Sequence, residues 1–531
     1  MRGLKIPGAL TALCVALALP STLSPSAFAQ RSLPDLGDSA TSAVSPAAER
    51  RLGDAIARDI RKDPDWLDDP TLDDYIQGMF RTLLATARAS GEVSASIDDR
   101  FAWQPMLIAD RTVNAFALPG GYFGFHAGLI SITQSRDELA SVVAHEITHV
   151  TQRHIARMIG QSGNQTLVAI AGAVLGALAA RSNPQAAGGL LMGGQALALQ
   201  QQLNFSRDME READRIGYGV LVQSGFAPQA MGQMFERLQA ASRLSDSGAF
   251  PYLRSHPLNT ERLADAQTRA RQDASTNRDV PTLAHAQMAG RALVYTDTSL
   301  QARQARVATA RTALADGAAA SGGRQTPFSR MALLYAGAAS AVLLKDWAAA
   351  DALLEGMRVA ATREPMAQRQ WAQLLAERWV AEGRVEQARQ ALAVLDALPE
   401  VPAGLLAQPR RAETLLRAEA QWLAGQRDAS LQTLQLRVAD QPGDSRAWQM
   451  LARAWDASAQ PLRAVRAQAE ARFAEGDLPG ALDRLQAGRR LMPTANAMAS
   501  GADFIEASII DARAREVERL IAEEARAERL R

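Results

Sequence analysis

The chain has 531 residues, too many for one hydrophobic core, so two or three domains are expected. It is 47% hydrophobic but only 5% aromatic and is rich in alanine and leucine, which favours helix over sheet. The formal charge is +1 and the only lysines are Lys5, Lys62 and Lys345, so charge gives no case for a nucleic-acid or acidic-lipid partner.

Arg2 and Lys5 precede an apolar run from Ala9 to Pro20, and Ala27-Phe28-Ala29 supplies an A-x-A site before Gln30. This is the pattern of a secretory signal peptide over residues 1–29. The apolar run falls short of the roughly 20 residues that span a bilayer, so cleavage is the expectation and an uncleaved anchor the alternative. Cys14, the single cysteine, lies inside this segment behind Leu13, where a lipoprotein leader would carry a small residue. An exported chain without a thiol has no disulfide framework and relies on packing or a metal.

Residues 30–48 are rich in Ser, Pro and Ala and read as a flexible lead-in. In "DDPTLDDYIQGMFRTLLATAR" a helix is expected over 71–88, with Leu72, Tyr75, Ile76, Met79 and Leu83 on one face. Residues 101–133 mix aromatic and branched residues around Pro119-Gly120-Gly121, which predicts short strands joined by a turn. Ser135-x-x-Glu138 is a capping box that opens the next helix. Residues 167–180, "LVAIAGAVLGALAA", and 188–199 read as two apolar segments that pair. Two readings stand for that 167–199 hairpin, burial in a core and peripheral contact with membrane or substrate. No further apolar stretch long enough to span a bilayer is read after the leader.

Residues 272–282 and 316–326 are polar and loop-like. Beyond 327, "LLKDWAAADALLEG", "WVAEGRVEQARQALAVL", "WLAGQRDASLQTL" and "FAEGDLPGALDRL" repeat one theme: a bulky residue, a Gly or Asp turn, then an Ala/Leu helix. The turn glycines Gly383, Gly425 and Gly476 are unevenly spaced, and both intervals exceed the tetratricopeptide period of about 34 residues. A tetratricopeptide-type solenoid with inserts is the expectation and an ordinary helical bundle the alternative.

The chemistry sits in "VVAHEITHVTQ". His145 and His149 are one helical turn apart on one face, so their imidazoles can converge on one zinc ion. Glu146, about 100° round the helix, lies beside that site without binding it. With six histidines in the whole chain the pattern is rare by chance, but it needs a third ligand. "NFSRDMEREADRIG" offers Glu210 and Asp214 at i, i+4, with Glu212 on another face. Glu210 could bind zinc while Asp214 accepts a hydrogen bond from a ligand imidazole; a solvated charged helix is the bland alternative. His126, His154 and His285 carry no partner motif, and His154 reads as a surface polar residue.

The H-E-x-x-H of His145–His149 and the later E-x-x-x-D of Glu210–Asp214, with "NAFALPGG" upstream and "SHPLNTERLAD" downstream, resemble the HtpX/CAAX-prenyl-protease family of zinc metallopeptidases. The leader and the C-terminal repeats narrow the resemblance to its BepA-like periplasmic branch. The resemblance covers about residues 45–270. It implies a mainly α fold: a helical zincin-type metallopeptidase domain with a small β-sheet, followed by an α-solenoid of tetratricopeptide repeats. The corresponding boundaries are 49–275 for the peptidase domain, 276–326 for linker helices and loops, 327–495 for the repeats and 496–531 for a helical tail.

By the same resemblance His145, His149 and Glu210 bind one zinc per chain, Glu146 is the catalytic glutamate, and Asp214 is a supporting carboxylate. His256 is implied as a regulatory or fourth ligand. Asn114, Ala115, Phe116, Ala117 and Leu118 are implied as the strand that pairs with substrate. The implied function is a periplasmic zinc endopeptidase for misfolded or stalled envelope proteins, with the repeats docking outer-membrane assembly machinery. The alternative is a chaperone or assembly factor that mainly binds. A membrane-embedded prenyl-type protease is a third, weaker reading.

Overall fold

Ser45 starts the first helix: its side chain accepts the Ala48 N–H and Pro46 takes the first helical position, where a missing N–H costs nothing. This helix, α1 (Pro46–Lys62), is one element of a computed structural model that describes residues 44–162, 206–243, 249–315, 326–399, 410–491 and 501–529. The leader with Cys14, most of the lead-in, the 167–199 apolar pair and nearly all of the 316–326 loop lie outside the described residues.

Four short strands follow: β1 (Trp66–Leu67), β2 (Gln104–Ile108), β3 (Ala115–Leu118) and β4 (Tyr122–His126), in the order β1-β2-β4-β3. β2 and β4 are parallel and the other two pairings antiparallel, so β3 is an edge strand. The β3–β4 turn needs its glycines: Gly120 and Gly121 have φ of 73° and 83°. A Cβ on Gly120 would also lie 2.7 Å from the Arg50 Cα of α1.

α1 covers one sheet face through Leu52, Ile56 and Ile60 against Met106, Ile108, Leu118 and Tyr122. The other face packs on α2 (Pro70–Ala89) and α5 (Arg136–Thr151), where Leu72, Ile76, Phe80 and Leu83 join Phe123, Phe125, Leu139 and Val143. A short helix, α3 (Ala95–Asp98), links α2 to β2. The strand composition of 101–133 misleads at its end. Residues Ala127–Ile132 form helix α4, seated so close to the preceding loop that a Cβ on Gly128 would lie 2.3 Å from the Arg111 carbonyl.

α6 (His154–Ser162), α7 (Arg207–Gln223), α8 (Ala230–Arg243), α9 (Tyr252–Ser255) and α10 (Thr260–Gln272) complete the first part of the chain. After them come helices 283–295 and 300–315, then pairs at 327–344 and 347–361, 365–382 and 385–396, 411–423 and 427–440, 445–457 and 461–474, and 478–491 and 501–529. Helix Pro327–Leu344 is long and apolar enough to cross a membrane, which corrects the reading that no such span follows the leader; half of it is buried within the protein.

One of the two long glycine intervals, from Gly425 to Gly476, has a simple cause; the Gly383-to-Gly425 step joins two within-pair turns and stays long. Within the pairs the left-handed turn residues are Lys345, Gly383, Gly425 and Ala459, so the turn that follows Gly425 falls on an alanine with φ of 55°. The Gly425-to-Ala459 step matches the tetratricopeptide period of about 34 residues. Gly476 belongs to a turn between pairs.

The paired helices meet the first part of the chain at α2. Asp74 accepts the N–H groups of Arg411 (3.1 Å) and Ala412 (2.9 Å), the opening residues of helix Arg411–Leu423. Burial nevertheless pushes the Asp74 carboxyl up to about 7 from 3.8. The folded state therefore holds a proton that the unfolded chain gives up, and this site's stability contribution is full below about pH 4 and lost as pH rises through 7. Asp74→Asn is expected to flatten the stability–pH curve between pH 5 and 8, read as urea midpoints. A variant with the wild-type slope would contradict this.

Candidate metal centre

α5 is built to be rigid. Ser135 Oγ accepts the Glu138 N–H (2.9 Å), and Glu138 reaches back to the Gln134 N–H (2.7 Å) rather than to that of Ser135. Arg237 of α8 grips the same carboxylate at 2.8 and 2.7 Å. Every α5 residue from Glu138 to Thr151 is buried, and Gly217 of α7 lets that helix press on the Ala144–His145 backbone, 3.3 Å from where its Cβ would be.

On this helix the His145 and His149 Nε2 atoms lie 3.0 Å apart. α7 brings Glu210 to them: Oε2 is 3.5 Å from His145 Nε2 and Oε1 is 3.5 Å from His149 Nε2. His256, at the end of α9, adds its Nδ1 at 3.3 Å from His145 Nε2 and 2.9 Å from Glu210 Oε1. Each of these four buried residues offers one ligand atom, all within 4.8 Å of one another. His256 Nε2 is also 3.5 Å from Glu146 Oε1.

A cation fits this donor set. His145 Nδ1 faces Asp214 Oδ1 at 3.1 Å, out of line for a strict hydrogen bond, and His149 Nδ1 faces His154 Nδ1 at 2.9 Å. The tautomers that carry a proton on both outer nitrogens leave the inner nitrogens presenting lone pairs to each other and to a carboxylate, a repulsion that a metal ion would remove. Without one, burial works against charge on His145, but Asp214 and Glu210 outweigh it and push its pKa up to about 10. Burial acts to raise Glu210 too, and His256 and His145 hold it well below the usual carboxylate range. His149 is pushed well below the ordinary imidazole value by burial and by His145.

Glu146 is fully buried, which raises its pKa; His256 and His145 and the Ala117 N–H offset part of that. Ala117 belongs to β3. The His126 N–H donates to the Asn114 carbonyl, so 114, 116 and 118 bond towards β4 while Ala115 and Ala117 turn their backbone groups to the outer edge. That edge is already paired one step earlier, where the Val113 N–H donates to Ala249 and the Tyr252 N–H to Val113. Asn114 precedes β3, and Phe116 turns to the α1 side of the sheet with its ring edge-on to His126.

All the residues read from the sequence as ligand, glutamate or support thus meet in one place. Three contributors were not read. Arg262 of α10, buried, bonds both Asp214 oxygens (2.7 and 2.8 Å), Glu210 (2.8 Å) and the Pro257 carbonyl (2.9 Å). It lies in the quoted "SHPLNTERLAD", and a site with this many carboxylates needs a cation besides the metal. The Tyr252 ring packs at a tilt against His256 with ring centroids 4.7 Å apart. His154, expected at the surface, has no exposure and touches His149. The remaining two histidines are buried and apart: His126 bonds Thr112, and His285 bonds Tyr75 and Thr133.

The sequence model of Peptidase family M48 matches residues 75–270. The putative beta-barrel assembly-enhancing protease of Vibrio cholerae is 38% identical over 265 residues, 49% of this chain and 52% of that protein. The beta-barrel assembly-enhancing protease of Escherichia coli K12 is 39% identical over 240 residues, 45% of this chain and 47% of the relative. The mitochondrial metalloendopeptidase OMA1 of Schizosaccharomyces pombe is 34% identical over 162 residues, 30% of this chain and 44% of that protein. The chain spans about half the length of the first two relatives it matches.

Proposed function

We propose, from the match of residues 75–270 to the sequence model of Peptidase family M48, that the chain is a zinc-dependent endopeptidase with one zinc per chain, held by His145, His149 and Glu210. The observation that carries the reading is the convergence of two imidazole lone pairs and a carboxylate in a buried site beside a second, buried glutamate. Zinc held by these residues would supply a water with a pKa of about 7 and a Lewis acid for the scissile carbonyl. Glu146 takes the proton from the attacking water and delivers it to the leaving amine, a role suited to a buried carboxylate beside the ligands but outside their set. Asp214, clamped by Arg262, fixes the orientation of His145.

Substrate enters as an added strand on β3. The outward-facing backbone of Ala115 and Ala117 supplies the pairing groups, which reads main chain and little side-chain identity. Unfolded polypeptide is the substrate class this favours. His256 stands against Glu146 and Glu210, where an attacking water would have to sit, so it acts as a restraint that must withdraw before cleavage.

The finer assignments extend the same reading. Residues 49–275 are the zincin-type peptidase domain, 276–326 linker helices and loops, 327–495 a tetratricopeptide solenoid and 496–531 a helical tail; the regular step between the Gly425 and Ala459 turns supports the repeat. The leader pattern of residues 1–29 and the relatives' names support a periplasmic enzyme acting on stalled envelope proteins during β-barrel assembly, with the repeats docking the partner. The alternative, a chaperone or assembly factor that mainly binds, draws on the closed position of His256.

Zinc per chain and cleavage of casein test this together. Purified protein is expected to carry one zinc, lose cleavage on chelation and regain it with zinc. Cleavage indifferent to the chelator would overturn the metallopeptidase reading. Metal retained with no cleavage of any unfolded substrate would favour the binding role.

A further inference from the structure

α5 ends at Thr151, and the chain then makes a sharp reversal. Arg153 adopts φ of 51°, a left-handed conformation unusual for a side chain of its size. It is held there by Glu49 of α1 (3.0 Å) and by the Val44 carbonyl. The reversal lets His154, the first residue of α6, fold back on the helix it has just left. Its ring packs edge-on to His149 with centroids 4.8 Å apart, Nδ1 to Nδ1 at 2.9 Å. On its other side His154 Nε2 lies 3.0 Å from Glu212 Oε2, and Arg157 holds that carboxylate at 2.7 Å.

We propose that His154 and Glu212 are the positioning pair for His149, the counterpart on this ligand of what Asp214 is on His145. The proposal rests on the metal reading above. Two ring nitrogens 2.9 Å apart require that one donates and the other accepts. With His149 Nε2 committed to a metal, its proton sits on Nδ1. His154 Nδ1 must then be the acceptor, its own proton must sit on Nε2, and Glu212 is the acceptor waiting there. Every tautomer in the chain follows from the carboxylate at its end. Glu210, Glu212 and Asp214 then divide the work along α7: one meets both ligand imidazoles directly, one backs His149 through His154, and one backs His145.

The test compares His154→Asn, His154→Gln and His154→Ala in the full chain. Asparagine's Oδ1 stands near the Nδ1 position and keeps an acceptor for His149. Glutamine's amide stands near Nε2 and keeps only the Glu212 side. Zinc affinity is measured by competition with a chromophoric chelator, the visible spectrum of the cobalt(II)-substituted protein reports ligand geometry, and metal-free melting reports packing. His154→Ala is expected to weaken zinc binding by about 10–100-fold and to shift the cobalt bands. His154→Asn is expected to recover affinity and spectrum, and His154→Gln is not. Glu212→Ala, which removes the acceptor at a partly exposed site, is expected to weaken zinc with little change in metal-free melting.

Equal zinc affinity in all variants, or an asparagine variant no better than the glutamine and alanine ones, would overturn the proposal. Wild-type protein that takes up no zinc would instead sink the metal reading and this inference with it.

Discussion

Glu146→Gln is expected to abolish peptide cleavage, by about 10²–10⁴-fold, while one zinc per chain stays bound. The amide keeps the volume and the neighbours of the carboxylate but cannot accept a proton from water. Because Glu146 lies on α5 between the two histidines and outside the four-residue ligand cluster, its loss leaves the donors intact. The variant should bind unfolded substrate without turning it over, which makes it a trap for capturing substrates from an envelope extract. The expected pattern is a collapse of kcat with KM little changed, as for an interaction made only in the transition state. Cleavage retained in metal-replete variant protein would reject the role of Glu146. Zinc lost along with cleavage would move Glu146 into the ligand set.

The centre was legible because its signals are local and rare. Two histidines at i, i+4 share a helix face whatever the rest of the chain does, and few histidines exist to produce that by accident. Glu210 and Asp214 share that spacing, but a solvated charged helix shows it equally, and it is the resemblance that singles them out. What stayed hidden depends on backbone reversals and on contacts between distant segments. His154 looked like a surface residue because nothing in "HVTQRH" announces that Arg153 turns left-handed, and Glu49, which bonds it there, lies far upstream on α1. Arg262 was hidden in the same way, its carboxylate partners lying on α7, well before it in the chain. α4 was masked by a composition that suits strand and helix alike, where the fit against Arg111 decides. One helix-pair turn was hidden because Ala459 holds a turn conformation normally signalled by glycine. Paired helices were predictable from that recurring theme; which turn belonged to which pair was not.

Arg291→Ala is expected to destabilise the folded chain by about 3–5 kcal/mol, the penalty of leaving a buried carboxylate without its cation. Arg291, on helix Leu283–Tyr295, bonds Asp69 at 2.8 and 3.0 Å and Glu377 of helix Pro365–Glu382 at 3.0 Å. Asp69 is only 2% exposed and is also the N-cap of α2, accepting the Leu72 N–H (2.8 Å), and it accepts the Tyr295 hydroxyl at 2.5 Å. Burial acts to raise the Asp69 pKa, yet Arg291 and these donors hold it below 3.8, so the carboxylate is charged at neutral pH. Pairing Arg291→Met with Asp69→Asn should recover much of the loss, because asparagine keeps an acceptor for Leu72 and the buried carboxylate is gone, while Glu377, partly exposed, is left to water and the Thr71 hydroxyl. The two helices that share Arg291 with α2 thereby also brace α5, which α2 packs against through the core that holds Leu83 and Val143. If the C-terminal helices folded as an independent appendage, urea unfolding of the single variant would shift one transition and leave metal release unmoved. The shared network predicts the opposite: zinc release and loss of helix should move to lower urea together. A single variant within about 1 kcal/mol of wild type, or a double variant no better than the single, would mean that this buried pair does not couple the two parts.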